Sequence, residues 1–491
     1  MITKGELSIE SKKQSFYSKA VNDISSTNLL VDIPLTVRIG IIIYFFLYQF
    51  YFPIRLIVEN SGGFEYVLLR IIKILNDFLL LVPIMFKWKG VGLLHPFVWS
   101  NLFDIAKTFK QPERFIAPFL SSNGVITQQA VIPSPGLSPE MKLALLSTAA
   151  LLCTYLGYFI TKKQKIDLKY KLPSPAIRDR IVMWAFICSA IALGFFLSRG
   201  GLQAWINSWG LAGSRSAAME GFGPILAFVG GLYYIPTLWI LSRNKAALRD
   251  PFFWLFAVVF AFCSFLATGS RYGILQALTT YLMAWVLLNK DFPFVKVILG
   301  GFIFLILFGV LGKLRTSATH NKSEADWSVL NEDISSYLEY SSTEVEKRSK
   351  EKPDVKIIRR VPEEVDYLYG TSYLYLIATY VPRALWADKP HSGAYYTGYR
   401  IFNVNWSIPP SEIGEVYFNF GTLGLLLFFI MKGCVFKIFV NSFRRYHKYA
   451  GAAMIYFMFV FTAGSFSSLG LGDFLREVVF VLVGLKFLRL L

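Results

Sequence analysis

A helix needs about 20 mostly apolar residues to cross a bilayer, because every backbone amide must find its partner within the segment once water is absent. Windows meeting that test recur along this chain of 491 residues, at 39–57, 143–160, 181–197, 225–241, 251–268, 272–288, 297–312, 420–436, 450–468 and 474–488. Two more are weaker. The stretch 66–86 carries Arg70, Lys73 and Asp77 at helical spacing, and either spans with its polar stripe against other helices or lies at the interface. The stretch 91–109 holds His95, Pro96 and Asp104. With both crossing, the total is about 12. The expected fold is therefore an all-α polytopic membrane protein. A chain 54% hydrophobic and 17% charged excludes a soluble globular enzyme. Cys153, Cys188, Cys263 and Cys434 all lie in apolar runs without metal-site or disulfide spacing, and read as small buried hydrophobes.

Orientation follows from the basic loops, since short loops rich in Lys and Arg stay in the cytoplasm. Lys162, Lys163, Lys165, Lys169, Lys171, Arg178 and Arg180 lie between the fourth and fifth spans. Arg243, Lys245 and Arg249 follow the sixth, Lys290 the eighth, and Arg444, Arg445 and Lys448 the tenth. All fall on one face, which places the C-terminus in the cytoplasm. Residues 1–34 are polar and read as a cytoplasmic tail without a cleaved signal peptide. Membrane helices over 35–312 then include an outer loop at 198–223, a large extracytoplasmic loop covers 313–419, and 420–491 returns to the membrane. The formal charge of +18 fits loops at an anionic membrane surface better than nucleic acid.

Some cations lie on the outer face, against the charge rule. Arg199 and Arg215 occupy the first outer loop, and Arg383, Lys389 and Arg400 the second. Residues 324–364 mix acids and bases as a solvated face or flexible cap does. In Val381-Pro-Arg-Ala-Leu-Trp-Ala-Asp-Lys-Pro390, two prolines stiffen the backbone and Trp386 suits an interfacial anchor. A guanidinium fork beside an ammonium suits a diphosphate; alternatively Asp388 pairs with Lys389 and Arg383 caps a helix end. Arg271, in the turn Thr268-Gly-Ser-Arg-Tyr-Gly273, either snorkels or meets an anion. Glu412 and Glu415 share a helical face and serve either as ion-pair partners for nearby arginines or as a general base. His391 is a second candidate to take a proton, while His95 and His447 read as interface or loop residues. No phosphate loop, Gly-rich dinucleotide turn, His-Glu-x-x-His or Asp-x-Asp pattern is present, so no cofactor or metal is expected and a nucleotide-driven reaction is disfavoured.

The layout, the Thr-Gly-Ser-Arg turn at 268–271, the Pro-Arg-x-Leu-Trp-x-x-Lys-Pro string at 382–390 and the Ser-x-Ile-Gly-x-x-Tyr-x-x-Phe-Gly run at 411–421 together resemble the O-antigen polymerases. These are the Wzy-type oligosaccharide repeat-unit polymerases of bacterial inner membranes, related to the O-antigen ligases. The resemblance implies a fold like the family C glycosyltransferases and glycosyl transfer on the periplasmic face. Donor and acceptor would both be polyprenyl-diphosphate-linked oligosaccharides, in contact with membrane lipids, and a chain-length regulator and a flippase would be further partners. It implies diphosphate binding by outer-loop arginines. Arg199 and Gly210 match the family's Arg-x10-Gly spacing, with Arg215 as an equal candidate, but the second loop has no clean copy. On this reading Arg199, Arg215, Arg271, Arg383, Lys389 and Arg400 hold the diphosphate, and Glu415, His391 and Arg383 act in catalysis. A ligase-like transferase, a lipid-linked oligosaccharide flippase and a secretion scaffold are the alternatives; no internal repeat of the kind transporters carry is visible.

Overall fold

A computed structural model describes residues 31–51, 64–88, 91–101, 138–201, 223–268, 272–293, 352–378, 385–462 and 465–491, apart from a few positions within these stretches, together with isolated residues such as Trp205 and Val381. The described residues form helices and connecting turns, with no strand among them. Chain order gives α1 Leu35–Tyr44, α2 Phe64–Met85, α3 Pro139–Ile160, α4 Ile177–Ser198, α5 Gly223–Gly231, α6 Tyr234–Arg243, α7 Pro251–Thr268 and α8 Tyr272–Asn289. Two short helices follow, α9 Pro353–Arg360 and α10 Thr371–Ala378, and then α11 Glu412–Tyr446, α12 Ala450–Thr462 and α13 Ser468–Phe487.

Four helical stretches are long and apolar enough to cross a membrane among the described residues: Pro139–Ile160, Ile177–Ser198, Ile225–Arg249 and Glu412–Tyr446. Leu35–Leu47, Pro251–Ala267, Gly273–Asn289 and Ala450–Thr462 are apolar but shorter. Large aliphatic and aromatic side chains on their outer faces stay exposed, among them Leu152, Phe186, Leu193, Val258 and Leu423, as a lipid-facing surface requires. The fold is thus a helical bundle of membrane type. Most of the window at 297–312 lies outside the described residues.

Serine caps start several of these helices. Ser138, Ser411 and Ser467 accept amide protons from Met141, Gly414 and Gly470, satisfying donors that an apolar setting would otherwise strand. The best packed pair is α3 and α11. A methyl group on Gly157 would fall on the carbonyl of Ile430, and one on Gly433 on the carbonyl of Thr154, so the backbones touch only because both residues lack a Cβ. The pair runs in one direction, since Cys434 meets Gly157 and, farther along, Asn441 meets Gln164. At that end the chain terminus closes in, with the Lys171 amide donating to the carbonyl of Leu490 (2.9 Å).

Two helices break. Between α5 and α6 the chain bends at Leu232 and Tyr233, and Ser264 of α7 donates to the Gly230 carbonyl there (2.6 Å). In α11, Gly421 takes φ 65° and ψ −164°. Along a straight helix Glu412 and Lys432 would be separated by about 30 Å. They meet instead at 2.6 Å, so α11 folds back on itself as a hairpin with a short arm before Gly421 and a long arm after it. The carbonyls of Phe418 and Asn419, released at the break, accept the amides of Leu368 (2.9 Å) and Tyr369 (3.0 Å). The helix therefore begins at Glu412, inside the segment that the hydropathy assigned to the outer loop.

His95 lies in the bend before residue 96, as a loop residue does, but inside the bundle and not at its surface. It is fully buried, Nδ1 accepting the Phe97 amide (3.2 Å) and Nε2 facing the Tyr158 hydroxyl (3.0 Å). Filled Nδ1 leaves Nε2 as the protonated nitrogen.

Candidate functional site

Polar chemistry collects in two neighbouring places, both built on the N-terminal part of α13. The first is sealed. The short arm of α11 carries Glu412 and Glu415 one turn apart, and the fold-back brings Lys432 of the long arm to the Glu412 Oε2. The two side chains are only 9% and 8% exposed. The rings of Phe429, Phe436 and Phe466 surround the ammonium at 5.2–5.6 Å, so cation–π attraction adds to the ion pair. The ion-pair reading of this carboxylate thus includes a lysine of the same helix, which the sequence did not single out.

Glu415 is held more completely. Oε1 accepts from the Ser372 hydroxyl (2.8 Å) and Oε2 from the Ser468 amide (3.2 Å), and the residue is 2% exposed. Asn419 braces it by donating to Ser372 Oγ (2.9 Å) and to the Glu415 carbonyl (2.8 Å). The Gly393 amide donates to Ser468 Oγ (3.1 Å), and any Cβ on Gly393 would strike the Glu415 carboxylate. Gly393 is there because the loop must touch that carboxylate. Burial, with the Glu415 and Glu412 charges nearby, pushes the hydroxyl of Tyr373 well above its ordinary range.

The second place is open. Asp473, Arg476 and Glu477 lie at i, i+3 and i+4 of α13, on one face. Glu477 Oε2 accepts from the Tyr233 hydroxyl (2.7 Å) and from Gln276 Nε2 (3.2 Å), and Gln276 also donates to the Tyr233 oxygen (2.7 Å). These partners come from the α5–α6 elbow and from the first turns of α8. A Cβ added at Gly231, beside Tyr233, would meet Glu477 Cγ at an ordinary contact distance of 3.5 Å. Arg476 pairs with Asp473 and donates to the Gly472 carbonyl (3.2 Å). Asp473 keeps 54% of its side chain accessible and Arg476 13%, so this face of α13 is partly open.

The residues singled out from sequence distribute unevenly. Arg215, Arg271 and Arg383 lie outside the described residues. Glu415 is at the sealed centre, and the turn from His391 to Gly393 lies against it. His391 stacks on Tyr395 at 3.9 Å between ring centres, and its amide faces the Tyr396 hydroxyl. Lys389 donates to the carbonyls of Ala378 (3.3 Å) and Val381 (2.7 Å), which ties off the loop that contains position 383. Arg400 is exposed and stands 5.4 Å above the Tyr396 ring. Arg199 closes α4, its amide donating to the Phe196 carbonyl (3.1 Å). Nearby, Trp205 of the segment 198–223 donates to the Leu266 carbonyl (3.0 Å) at the end of α7.

Lys432, Asp473, Arg476 and Glu477 were not among the sequence candidates. Three ionisable residues at the head of the apolar window 474–488, on one helical face, were the available signal. The partners of Glu477, Tyr233 and Gln276, carry no signal of their own. No family model, curated protein or solved structure matches the chain.

Proposed function

We propose that the chain is a membrane glycosyltransferase that polymerises polyprenyl-diphosphate-linked oligosaccharide repeat units, working at the periplasmic face of a bacterial inner membrane. The observation that carries this reading is the partly open face of α13, where a carboxylate with one anchored oxygen stands beside a guanidinium in an otherwise apolar helix. Anchoring of Oε2 by Tyr233 and Gln276 fixes the orientation of Glu477 and leaves Oε1 for a substrate proton. Glu415, with hydrogen bonds to both oxygens, fits a positioning role better than that of a base.

On this reading the acceptor hydroxyl attacks the anomeric carbon of the donor sugar as the bond to the diphosphate oxygen breaks. The hydroxyl proton passes to Glu477, and polyprenyl diphosphate leaves with its electron pair. Arg476, together with Arg271 and Arg383 of the outer segments, meets the developing charge, which counts for more where the bound substrate excludes water. Attack from the opposite face inverts the anomeric centre. The lysine-rich segment after α3 meets the end of α11 at the far end of the bundle, through Ile166 and Ser442 (2.7 Å), which supports placing that end in the cytoplasm.

A second reading, a transporter of lipid-linked oligosaccharides, is favoured by one observation. Two broken helices, α5–α6 and α11, carry polar groups into the bundle, as transporter sites do. One experiment separates the two. Purified protein in nanodiscs receives a polyprenyl-diphosphate-linked repeat unit without nucleotide, and products are resolved by mass. A ladder of multiples that vanishes in Glu477→Gln and Arg383→Ala is expected. Absence of a ladder, with movement of the same substrate across vesicles, replaces the polymerase by the transporter.

A further inference from the structure

The short helical stretch 393–401 joins the sealed centre through the Gly393 amide and Ser468 Oγ (3.1 Å). Its inner face, with Ala394, Thr397, Gly398 and Ile401, is buried. Another face carries a stack of rings: His391 lies on Tyr395 (3.9 Å between centres, 18° between planes), and Tyr395 on Tyr399 (6.0 Å, 11°). The last turn, Thr397–Ile401, widens into a π-helix, a feature that gathers at functional sites. The loop that follows lies back on this stretch. The Val404 amide donates to the Gly398 carbonyl (3.0 Å) and the Ile408 amide to the Ala394 carbonyl (2.9 Å). A Cβ on Gly398 would strike the Trp406 carbonyl, so backbone contact fixes the place of Trp406. Between residues 391 and 411 the exposed large apolar side chains are Tyr399 (57%) and Trp406 (65%). They stand among exposed Arg400, Asn403, Asn405 and Ser407. The lipid-type faces of α3, α4 and α7 differ, exposing aliphatic side chains such as Leu152, Leu193 and Val258.

We infer that this surface binds the glycan of the substrate, stacking pyranose rings on Tyr399 and Trp406. A pyranose has faces of C–H bonds and a rim of hydroxyls. The faces suit aromatic planes, whose negative π-face attracts the weakly positive C–H hydrogens. The rim suits what surrounds these rings: amides that donate and accept, a hydroxyl, and the planar donor fork of a guanidinium. An acyl chain would use the rings and leave that rim unanswered. Preorganisation adds to the fit, because the stack and the folded-back loop already hold the rings, and little side-chain freedom remains to be lost on binding. The surface is also continuous with the polar face of α13. Ser468 opens that helix, and Arg476 and Glu477 follow within about 14 Å along its axis, a span that a short oligosaccharide covers. The inference rests on the glycosyl-transfer reading for which glycan is bound.

The test uses full-length protein in nanodiscs and two probes: the polyprenyl-diphosphate-linked repeat unit, and the same glycan freed of lipid and diphosphate by mild acid. Titration calorimetry with the free glycan should show saturable binding. Tyr399→Ala and Trp406→Ala should each weaken it about five- to tenfold, and Tyr399→Phe, which keeps the ring, by less than about twofold. In the turnover assay both alanine variants should raise KM for the repeat unit by a similar factor with kcat nearly unchanged, the sign of lost uniform binding. A ladder from the unaltered protein, with binding and KM unmoved in both alanine variants, overturns the platform and leaves the polymerase reading standing. No ladder, with the free glycan still bound and released by the alanine variants, retires the polymerase reading and keeps the platform. Neither ladder nor binding overturns both. Should an alanine variant fail to fold, as judged by its melting, a photoreactive benzoylphenylalanine in place of the exposed Asn405 decides. Adducts with the glycan support the platform, and adducts with lipid alone make this surface an interfacial anchor and refute it.

Discussion

The α11 hairpin and the polar face of α13 both carry carboxylates in an apolar bundle, and they solve the problem oppositely. In the hairpin every charge is matched inside the protein: Glu412 by Lys432, Glu415 by two donors and the Asn419 brace. In α13 the stripe is matched on one side only, with Glu477 anchored by one oxygen and Asp473 left accessible. Ionised groups are costly in hydrocarbon unless paired or wetted. A sealed centre spends its charges on holding backbone in place, while an open one keeps capacity for a substrate. If that contrast is right, substitutions in the hairpin should be read out as stability and those in α13 as activity.

The largest effect is expected at Lys432. Lys432→Met removes the ammonium from the buried Glu412 carboxylate, which costs about 3–5 kcal/mol, and adding Glu412→Leu should restore most of it. Denaturant unfolding of both variants in detergent measures this. A single-variant cost below about 1 kcal/mol would mean that water reaches the pair and the centre is not sealed. Next comes Glu477→Gln, which should slow glycosyl transfer at least about 100-fold, near 2.7 kcal/mol, with an unchanged unfolding curve. Glu415→Gln is the contrasting control: its melting temperature should fall, and activity per folded molecule should change little. The opposite pattern would exchange the roles of the two carboxylates. Smaller still, Gly421→Ala forces a Cβ into a positive-φ conformation facing the Tyr367 hydroxyl and should cost about 1–3 kcal/mol in stability. Its effect on transfer tells whether the hairpin bend only supports the site or also moves during turnover.

The membrane class was legible because it depends on composition summed over windows, and α3, α4 and the long arm of α11 fall where hydropathy put them. The hairpin was not. Phe420-Gly-Thr-Leu-Gly424 reads as a small-residue stretch entering a span, and the reversal at Gly421 is fixed by contacts from Leu368, Tyr369 and Lys432, distant in sequence. Glu415 was legible as a residue of interest but not in its surroundings, since Ser372, Gly393 and Ser468 come from three separate segments. The stripe of α13 was visible as charges in an apolar run. Its meaning required knowing that the α5–α6 elbow brings Tyr233 to Glu477, which no local pattern encodes.

The smallest effect concerns His447, just past the C-terminal end of α11, where the sequence suggested an ordinary loop residue. Its Nδ1 stands 3.0 Å from the Arg444 carbonyl and must donate to it, which leaves Nε2 as a bare acceptor. That nitrogen is buried with no hydrogen-bond partner among the described residues. Burial therefore holds the imidazole below the ordinary histidine range; the bond to Arg444 opposes this, and the Lys448 and Lys290 charges add to it. The sign follows from proton counts. Above the ordinary range both folded and unfolded forms are neutral at this site and nothing changes with pH. As pH falls through that range the unfolded chain binds a proton that the folded one refuses, so stability drops, by at most about 1.4 kcal/mol per pH unit. His447→Gln removes the term. The stability difference between variant and unaltered protein, followed by unfolding from pH 7.5 down to about 5.5, should shift in favour of the variant as acid is added. Parallel curves would show that His447 takes its proton as readily in the folded state, and would mark this end of α11 as open to water.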